Sequence, residues 1–466
     1  MSFDYDTYLS PFTWRYGSAE MRQVWSEVHK RRLWRELWCV LAEVQAEFGL
    51  VQPEQAADLR LHVEQVDLRR SLEIEAEIHH DLMAELKAFA GQAPLGGGIL
   101  HLGATSMDIE DNADVLRLRQ SLELVLERLR HLLGLFADRI DACSDTVLIA
   151  FTHLQPAEPS TLGYRLAQYA QDLLQDWEEL DRVRVGLRGK GFNGAVGTGA
   201  SYAELLGGGD RLARFAERLS ARLGLPFYPV STQVYPRKQD YRVTSALAGL
   251  GGSLYKFAFD LRLLQSPVFG ELSEPFGARQ VGSSAMPFKR NPINAEKIDS
   301  LARALAQMPR LAWDNAAHSL LERTLDDSAN RRSLLPEAFL IADELLRTAT
   351  RILEGLQVNA KAMEQNLATY GPFAGIERLL MGLAKAGADR QEMHENLRQH
   401  ALRAWEALQA GQPNPLVENI SRDQDILKYL PEIEVRDLLK ASQHLGDAPQ
   451  RARKFAEAMR LSVVEA

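Results

Sequence analysis

Gly282-Ser283-Ser284-Ala285-Met286-Pro287-Phe288-Lys289-Arg290-Asn291-Pro292 is the run on which the reading of this chain turns. It sets small residues, two hydroxyls, two cations and an amide between two segments of helical pattern. Small residues let a backbone approach a ligand closely. Lysine, arginine and asparagine side chains can then hold a carboxylate. A serine in such a loop takes part in proton transfer only where its surroundings stabilise the alkoxide. Taken alone, the run also fits an ordinary glycine–serine surface loop.

Working outward, prolines mark the architecture. The stretches between Pro94 and Pro156, Pro159 and Pro226, and Pro236 and Pro267 contain none. In the first, Val115, Leu118, Leu122, Val125, Leu126, Leu129, Leu132 and Leu133 recur at spacings of three and four, the period of one helix face. Asn112 or Asp111 is the expected cap at its start. A helix of about 28 residues there is roughly 40 Å long, the length of a bundle rod. A second long segment covers about 160–187. A third, about 239–264, carries Ala246, Ala248, Gly249, Gly251 and Gly252. Glycine inside a helix costs about 1 kcal/mol relative to alanine, so several together predict close helix–helix contact in a buried position. A fourth segment follows Pro292. A fifth covers about 328–356, with Pro336 inside it to kink it or begin a new helix. Strand signals are few. The pattern predicts an all-α protein with shorter helices in 1–112, a central long-helix bundle over 113–365, and short helices again in 366–466.

Composition sets bounds on partners. The chain has 466 residues, 46% hydrophobic and 25% charged, with net charge −9. This is an ordinary balance for a globular protein, and the acidic excess argues against a nucleic-acid surface. No apolar run is long enough for a membrane span. Cys39 and Cys143 form no CxxC pattern, the acidic start is no signal peptide, and a cytoplasmic location is expected. The histidines show no metal-ligand spacing, and no metal or other cofactor is expected.

Further groups of chemical interest lie far apart in sequence. His101-Leu102-Gly103-Ala104-Thr105-Ser106 precedes the first long helix, where hydroxyls and backbone N–H groups suit an anion. Simple helix capping by Ser106 or Asp108 is an equal reading. Thr152-His153-Leu154-Gln155 contains a histidine, the side chain best matched to proton transfer near neutral pH. A lone histidine is more often structural. Gln233 stands near Tyr235, Arg237 and Lys238, or simply in a polar loop. Glu322-Arg323-Thr324-Leu325-Asp326-Asp327-Ser328-Ala329-Asn330-Arg331-Arg332 joins arginines to a serine, a fit for phosphate. Its acids alternatively pair with the arginines on a solvated face. Arg15-Tyr16-Gly17-Ser18 offers guanidinium and hydroxyl groups to a phosphate. His79-His80-Asp81 invites a metal reading, but no further ligands accompany it.

The Gly282 run resembles the signature loop of the fumarase/aspartase superfamily. The Glu322–Arg332 run and the Arg15-Tyr16 pair narrow the likeness to its adenylosuccinate lyase branch. The likeness extends from Arg15 to Ala388-Asp389-Arg390-Gln391-Glu392. It implies an all-helical, three-domain fold assembling as a homotetramer around a shared helical core, with each active site drawn from three subunits. It also implies elimination of fumarate from adenylosuccinate, giving AMP, and from the succinylated imidazole-carboxamide ribotide of purine synthesis.

Carried over by motif, the resemblance makes Ser283 the general base and His153 the general acid. Glu296 is then the carboxylate that orients and charges His153, because a carboxylate neighbour favours imidazolium. Lys289 and loop N–H groups stabilise the alkoxide and the carbanion-like intermediate. Lys289, Asn291, Thr105 and Ser106 hold the succinyl carboxylates. Arg15, Tyr16, Arg323, Ser328 and Arg332 hold phosphate and ribose. His80, Asp81, His101, Thr152 and Gln233 position the rest, with Leu325 among the lining residues. The loop, flanked by Gly270, Gly277 and Gly282, is expected to close on substrate. His79 stands where the family often has arginine, and Lys297 where some members have it. Other fumarate-releasing lyases, such as argininosuccinate lyase, and a crystallin-like structural role are the alternatives. The former do not need the phosphate-type cluster, and the latter does not need an intact catalytic set.

Overall fold

A computed structural model describes residues 5–464. Helices dominate, and five are long: Ser106–Ala142, Leu162–Val185, Lys238–Gln265, Asp326–Glu354 and Ala360–Lys385. All eight apolar residues that set the period of the Ser106 helix are buried. The cap expected at Asp111 or Asn112 is not there. The helix begins a turn and a half earlier, and both residues are fully buried inside it. Asp111 accepts from Arg237 at 3.0 Å, and Asn112 donates to the Asp108 and Gly191 carbonyls. A short polar residue at that point reads as a cap because its tertiary partner, 126 residues away for Asp111 and 79 for Asn112, leaves no local trace.

Chain contacts divide the molecule into two compact units. The first comprises residues 1–129, 176–252 and 300–347, and the second 130–175, 253–299 and 348–466. The first holds the helix Glu27–Glu47, whose buried Leu37, Trp38, Leu41 and Val44 form its inward stripe. Buried ion pairs also run through this unit. Arg35 Nε donates to Glu85 at 2.6 Å with both side chains fully enclosed, and Lys190 pairs with Asp108 in the same condition.

The second unit contains a feature absent from the sequence reading. Val147–Thr152 and Gln155–Thr161 form an antiparallel hairpin with a register shift between Ile149 and Phe151. Phe151 anchors it edge-on against Phe269, with ring centroids 4.9 Å apart. A second small pair joins Leu272–Ser273 to Gln357–Val358. Toward the C-terminus, Leu379, Leu383, Leu397, Leu416, Ile420 and Val435 belong to one buried cluster.

Two helical expectations change in detail. Pro336 neither ends nor restarts its helix, which is continuous from Asp326 to Glu354. Lacking an N–H, it leaves the carbonyl of Arg332 without its usual helical donor. In the Lys238 helix, Gly251 and Ala246 are buried as expected, but Gly249, Gly252 and Phe259 face outward in the single chain. A Cβ on Gly251 would meet Leu305 at 3.2 Å, whereas one on Gly252 would meet nothing. Close packing inside the chain thus accounts for only part of that small-residue run.

Candidate active site

The hairpin turn places the first candidate. His153 and Leu154 are its two central residues, and both have positive φ, 53° and 58°. Primed turns match the twist of paired strands but normally use asparagine or glycine. Holding two larger residues there costs roughly 1–2 kcal/mol each, and such strain gathers at functional sites. Thr152 pairs with Gln155 across the turn. His153 and Thr152 are exposed, and among the described residues His153 makes no hydrogen bond or ion pair.

The Gly282 loop is surface-exposed over most of its length. Its first glycine is obligatory, since a Cβ there would lie 2.0 Å from the Lys289 carbonyl oxygen. Asn291 Nδ2 donates to the Gly282 carbonyl at 2.9 Å, closing the loop on itself. Within that loop Ser283 Oγ accepts two backbone N–H groups, from Met286 at 3.0 Å and Ala285 at 3.3 Å. Serine hydroxyls also make such bonds as simple turn formers. Chemically, two amide donors aimed at one oxygen favour negative charge on it. Ser284 has no such pair. Below the loop Glu274 accepts the Asn294 and Ala295 amides at 3.0–3.1 Å and fixes the start of the helix Ile293–Leu305. Glu296, on that helix, lies 3.9 Å from Arg262. No hydrogen bond or ion pair joins Glu296 to His153 among the described residues of this chain.

The remaining candidates lie in the first unit. Thr105 and Ser106 stand at the start of the Ser106 helix. The cap there is Asp108, whose Oδ2 accepts the Thr105 amide at 2.9 Å. Capping therefore holds for Asp108 and leaves both hydroxyls uncommitted. Asp108 also accepts the amides of Asn193 and Gly194 and pairs with Lys190, which ties the loop after Arg188 to this helix start. His101 has φ 67°, and its Nδ1 accepts from Trp38 Nε1 at 3.1 Å. That bond assigns the neutral ring's proton to Nε2. Burial, with the neighbouring His80, holds the imidazole below its ordinary range against the opposing Asp108 charge.

His80 caps the helix Asp81–Gln92, and Asp81 Oδ2 accepts from Arg332 at 2.8 Å. Burial raises the Asp81 carboxyl, but Arg332 outweighs it and holds the group low. Asp81, Ser328 and Arg332 line one cavity of about 90 Å³. Arg323 bonds to Asp327 at 2.8 Å, and Asp327 to Arg237 at 2.6 Å. Arg331 is buried between Asp240, at 2.8 Å, and Asp114, at 3.2 Å. The alternative reading, in which the run's own acids pair with its arginines, holds for Arg323 and Asp327, though Asp327 is buried; Arg331 instead takes acids from outside the run. The backbone of Gln233 bonds to the Glu322 carbonyl at 3.2 Å, bringing the two runs together. A larger cavity of about 540 Å³ beside them is lined by Ser231, Tyr235, Arg237, Lys238 and Trp313. Leu325 is exposed.

Arg15 is exposed, with its guanidinium over the rings of Trp14 and Tyr16. Contacts made just beyond the pair hold it in place. Gly17 N–H bonds to Glu344 at 3.2 Å, and Arg22 donates to the Tyr16 and Gly17 carbonyls. Ser18 is no ligand candidate, because its hydroxyl caps the next helix and accepts from Arg128.

Sequence reasoning missed Lys190 and Glu110, and saw Asp108 only as a cap, not as the partner of Lys190. A glutamate near a helix start reads as a complement to the helix dipole, which hides any other use. Three groups also converge that no spacing rule could find. Glu158, Glu377 and His444 bring ligand atoms within 4.8 Å of one another, each from a different segment. Exposed groups of this kind occur commonly without an ion, and we assign them no role.

Comparison with known proteins gives the family of the chain. Residues 19–306 match the family described as Lyase, and residues 373–455 that described as Adenylosuccinate lyase C-terminus. The chain is 40% identical to the adenylosuccinate lyase of Schistosoma mansoni, covering 97% of this chain and 95% of that one. It is 37% identical to that of Saccharomyces cerevisiae, with 97% and 95% coverage. Among solved structures, a fumarate lyase from Mesorhizobium sp. BNC1 superposes with TM-score 0.83 at 26% identity, covering 97% of this chain and 99% of its own. A 3-carboxy-cis,cis-muconate lactonizing enzyme from Pseudomonas putida gives TM-score 0.84 at 26% identity, with 96% and 99% coverage. With a helical fold, an intact signature loop and near full-length likeness, the chain belongs to the adenylosuccinate lyase family.

Proposed function

We propose that this chain splits adenylosuccinate into AMP and fumarate, and releases fumarate likewise from the succinylated imidazole-carboxamide ribotide. The observation that carries the reading is Ser283 Oγ, held by two backbone N–H groups in the same loop as Lys289. In this mechanism Ser283, as alkoxide, takes a proton from the succinyl carbon next to a carboxylate. The amide donors and Lys289 hold the negative charge that shifts from the oxygen to the carboxylate. The carbon–nitrogen bond then breaks, its electrons leave with the nitrogen, and His153 supplies the proton that nitrogen needs. Asn291, Thr105 and Ser106 hold the succinyl carboxylates. Ser328, Arg332, Arg15, Tyr16 and Arg323 hold phosphate and ribose. His80, Asp81, His101, Thr152 and Gln233 orient the remainder, with Leu325 at the rim.

The enzyme acts as a homotetramer, in the cytoplasm, with three domains over 1–112, 113–365 and 366–466. Two features support assembly. The Gly249, Gly252 and Phe259 face of the Lys238 helix is uncovered in one chain. Glu296 and His153, partners in the mechanism, are unjoined within it. Each active site therefore takes its proton-transfer groups from more than one subunit.

The test is direct. Purified protein is incubated with adenylosuccinate, its loss is followed by ultraviolet absorbance, and AMP and fumarate are identified. Turnover in the wild type and its loss in Ser283→Ala are expected. Turnover of argininosuccinate instead would overturn the substrate assignment. An intact tetramer inert toward both would overturn the enzymatic reading.

A further inference from the structure

Glu110 lies early in the Ser106 helix, on the wall of the cavity that also carries Asp81, Ser328 and Arg332. Among the described residues its carboxyl has no hydrogen-bond or ion-pair partner. The charged groups around it are otherwise matched. Lys30 pairs with Glu27 at 2.7 Å, Arg117 with Asp114 at 3.4 Å, and Arg332 with Asp81 at 2.8 Å. Arg331 is shared between Asp240 and Asp114, and Asp111 is taken by Arg237. Glu110 is the acid left over, and its open side is the cavity. Burial, reinforced by Asp81, Asp114 and Asp111 and opposed by Lys30, pushes its carboxyl up to about 8. At neutral pH it therefore carries a proton, and a protonated carboxyl is a hydrogen-bond donor.

We propose that Glu110, as a neutral carboxylic acid, donates a hydrogen bond to the phosphate of a nucleoside monophosphate bound at Ser328 and Arg332. It acts as a positioning residue for the ligand's anionic end and takes no part in the elimination. The inference rests on the reading of Ser328 and Arg332 as phosphate groups. It has a consequence that reading lacks. A phosphate arriving beside Glu110 strengthens its hold on the proton, so binding and proton retention are coupled. Where the free protein has lost that proton, binding must recover it. Affinity then falls by up to about tenfold for each pH unit above the free carboxyl's range.

The experiment titrates the full-length protein with AMP by calorimetry between pH 7.5 and 9.5, where the AMP phosphate is already a dianion. Proton uptake is read by repeating it in buffers of different ionisation enthalpy. The wild type is expected to weaken by tenfold or more across the window and to take up close to one proton at its upper end. Glu110→Gln is expected to bind with an affinity that hardly changes over the same range. A flat wild-type profile, absence of proton uptake, or an unchanged pH dependence in Glu110→Gln would each overturn the proposal. Ser328→Ala and Arg332→Ala, measured at pH 7.5, separate the two levels. If both bind AMP as the wild type does, the phosphate reading fails and takes this inference with it. If both lose AMP but the pH profile ignores Glu110, only the inference fails.

Discussion

Two serines adjoin in the signature loop, and only one has the geometry of a base. Ser283 Oγ receives the Ala285 and Met286 amides, so its alkoxide has donors waiting. Ser283→Ala is expected to lower kcat by roughly 10²–10⁴-fold, the usual worth of a positioned proton-transfer group. Ser284→Ala is expected to stay within a few-fold of the wild type. Loss of turnover in Ser284→Ala alone would sink the assignment. His101 makes a different prediction. Its folded pKa is depressed below the ordinary value of about 6.5, so between the two values the unfolded chain binds more protons. The stability contributed by the neutral ring is full above about pH 6.5 and is lost as pH falls below it. Melting curves from pH 5 to 8 should show the gap between wild type and His101→Gln narrowing on the acid side. A constant gap would refute a neutral His101. At this scale the loop and its serine were legible because their residues are contiguous. The enclosure of Arg331 was not legible, because its partners Asp240 and Asp114 lie far along the chain and meet it only on folding.

Among elements, the Val147–Thr161 hairpin places left-handed backbone at the histidine proposed as general acid. Leu154 is 64% exposed, so Leu154→Gly forfeits little packing. It relieves roughly 1–2 kcal/mol of left-handed strain and adds about 0.5–1 kcal/mol of unfolded-chain entropy. The melting temperature should hold or rise slightly while kcat falls, because His153 is held less firmly. A large drop in melting temperature, or an unchanged kcat, would show the turn to be ordinary. Lys190 serves the opposite end of the problem, anchoring the loop after Arg188 to the helix start through Asp108. Lys190→Met leaves a buried carboxylate unpaired, a loss on the order of 3–5 kcal/mol. Its thermal midpoint should drop clearly, and Asp108→Asn in the same chain should restore part of it. Independent, additive losses would show that the two side chains do not act as a pair. Four of the long helices were legible, but the segment after Pro292 divides into Ile293–Leu305 and Met308–Ala317, and the long helix Ala360–Lys385 runs into the stretch expected to hold only short ones. The hairpin was not legible, because Pro156 and Pro159 fall in its second strand, and proline normally argues against one. A two-stranded pair has only edges, and there proline is tolerated.

For the whole molecule, the single chain leaves Glu296 and His153 without each other and a glycine-bearing helix face bare. If active sites combine subunits, two inactive variants should rescue one another. Mixed and reassembled Ser283→Ala and His153→Ala tetramers are expected to regain roughly a quarter of wild-type activity, by random pairing of intact halves. No recovery in mixed tetramers would place both residues in one subunit's site. Helical periodicity by itself says nothing of assembly, since a small-residue helix looks the same whether its neighbour belongs to its own chain or another; the expectation of a tetramer came from the motif resemblance alone.

The division into two units carries a last consequence. Ser283, Lys289, His153 and Glu296 all fall in the second unit, whereas every group proposed for phosphate, ribose and base falls in the first, except Thr152. On the proposed roles, proton chemistry and most recognition of phosphate, ribose and base lie in separate stretches of chain, while the succinyl carboxylates are met by both, through Asn291 in one and Thr105 and Ser106 in the other. A lineage could exchange what it recognises while inheriting its reaction centre untouched. Enzymes as differently named as a fumarate lyase and a muconate lactonizing enzyme share this scaffold at 26% identity. That is the record such a partition would leave: one inherited way to move a proton, offered to a changing set of molecules.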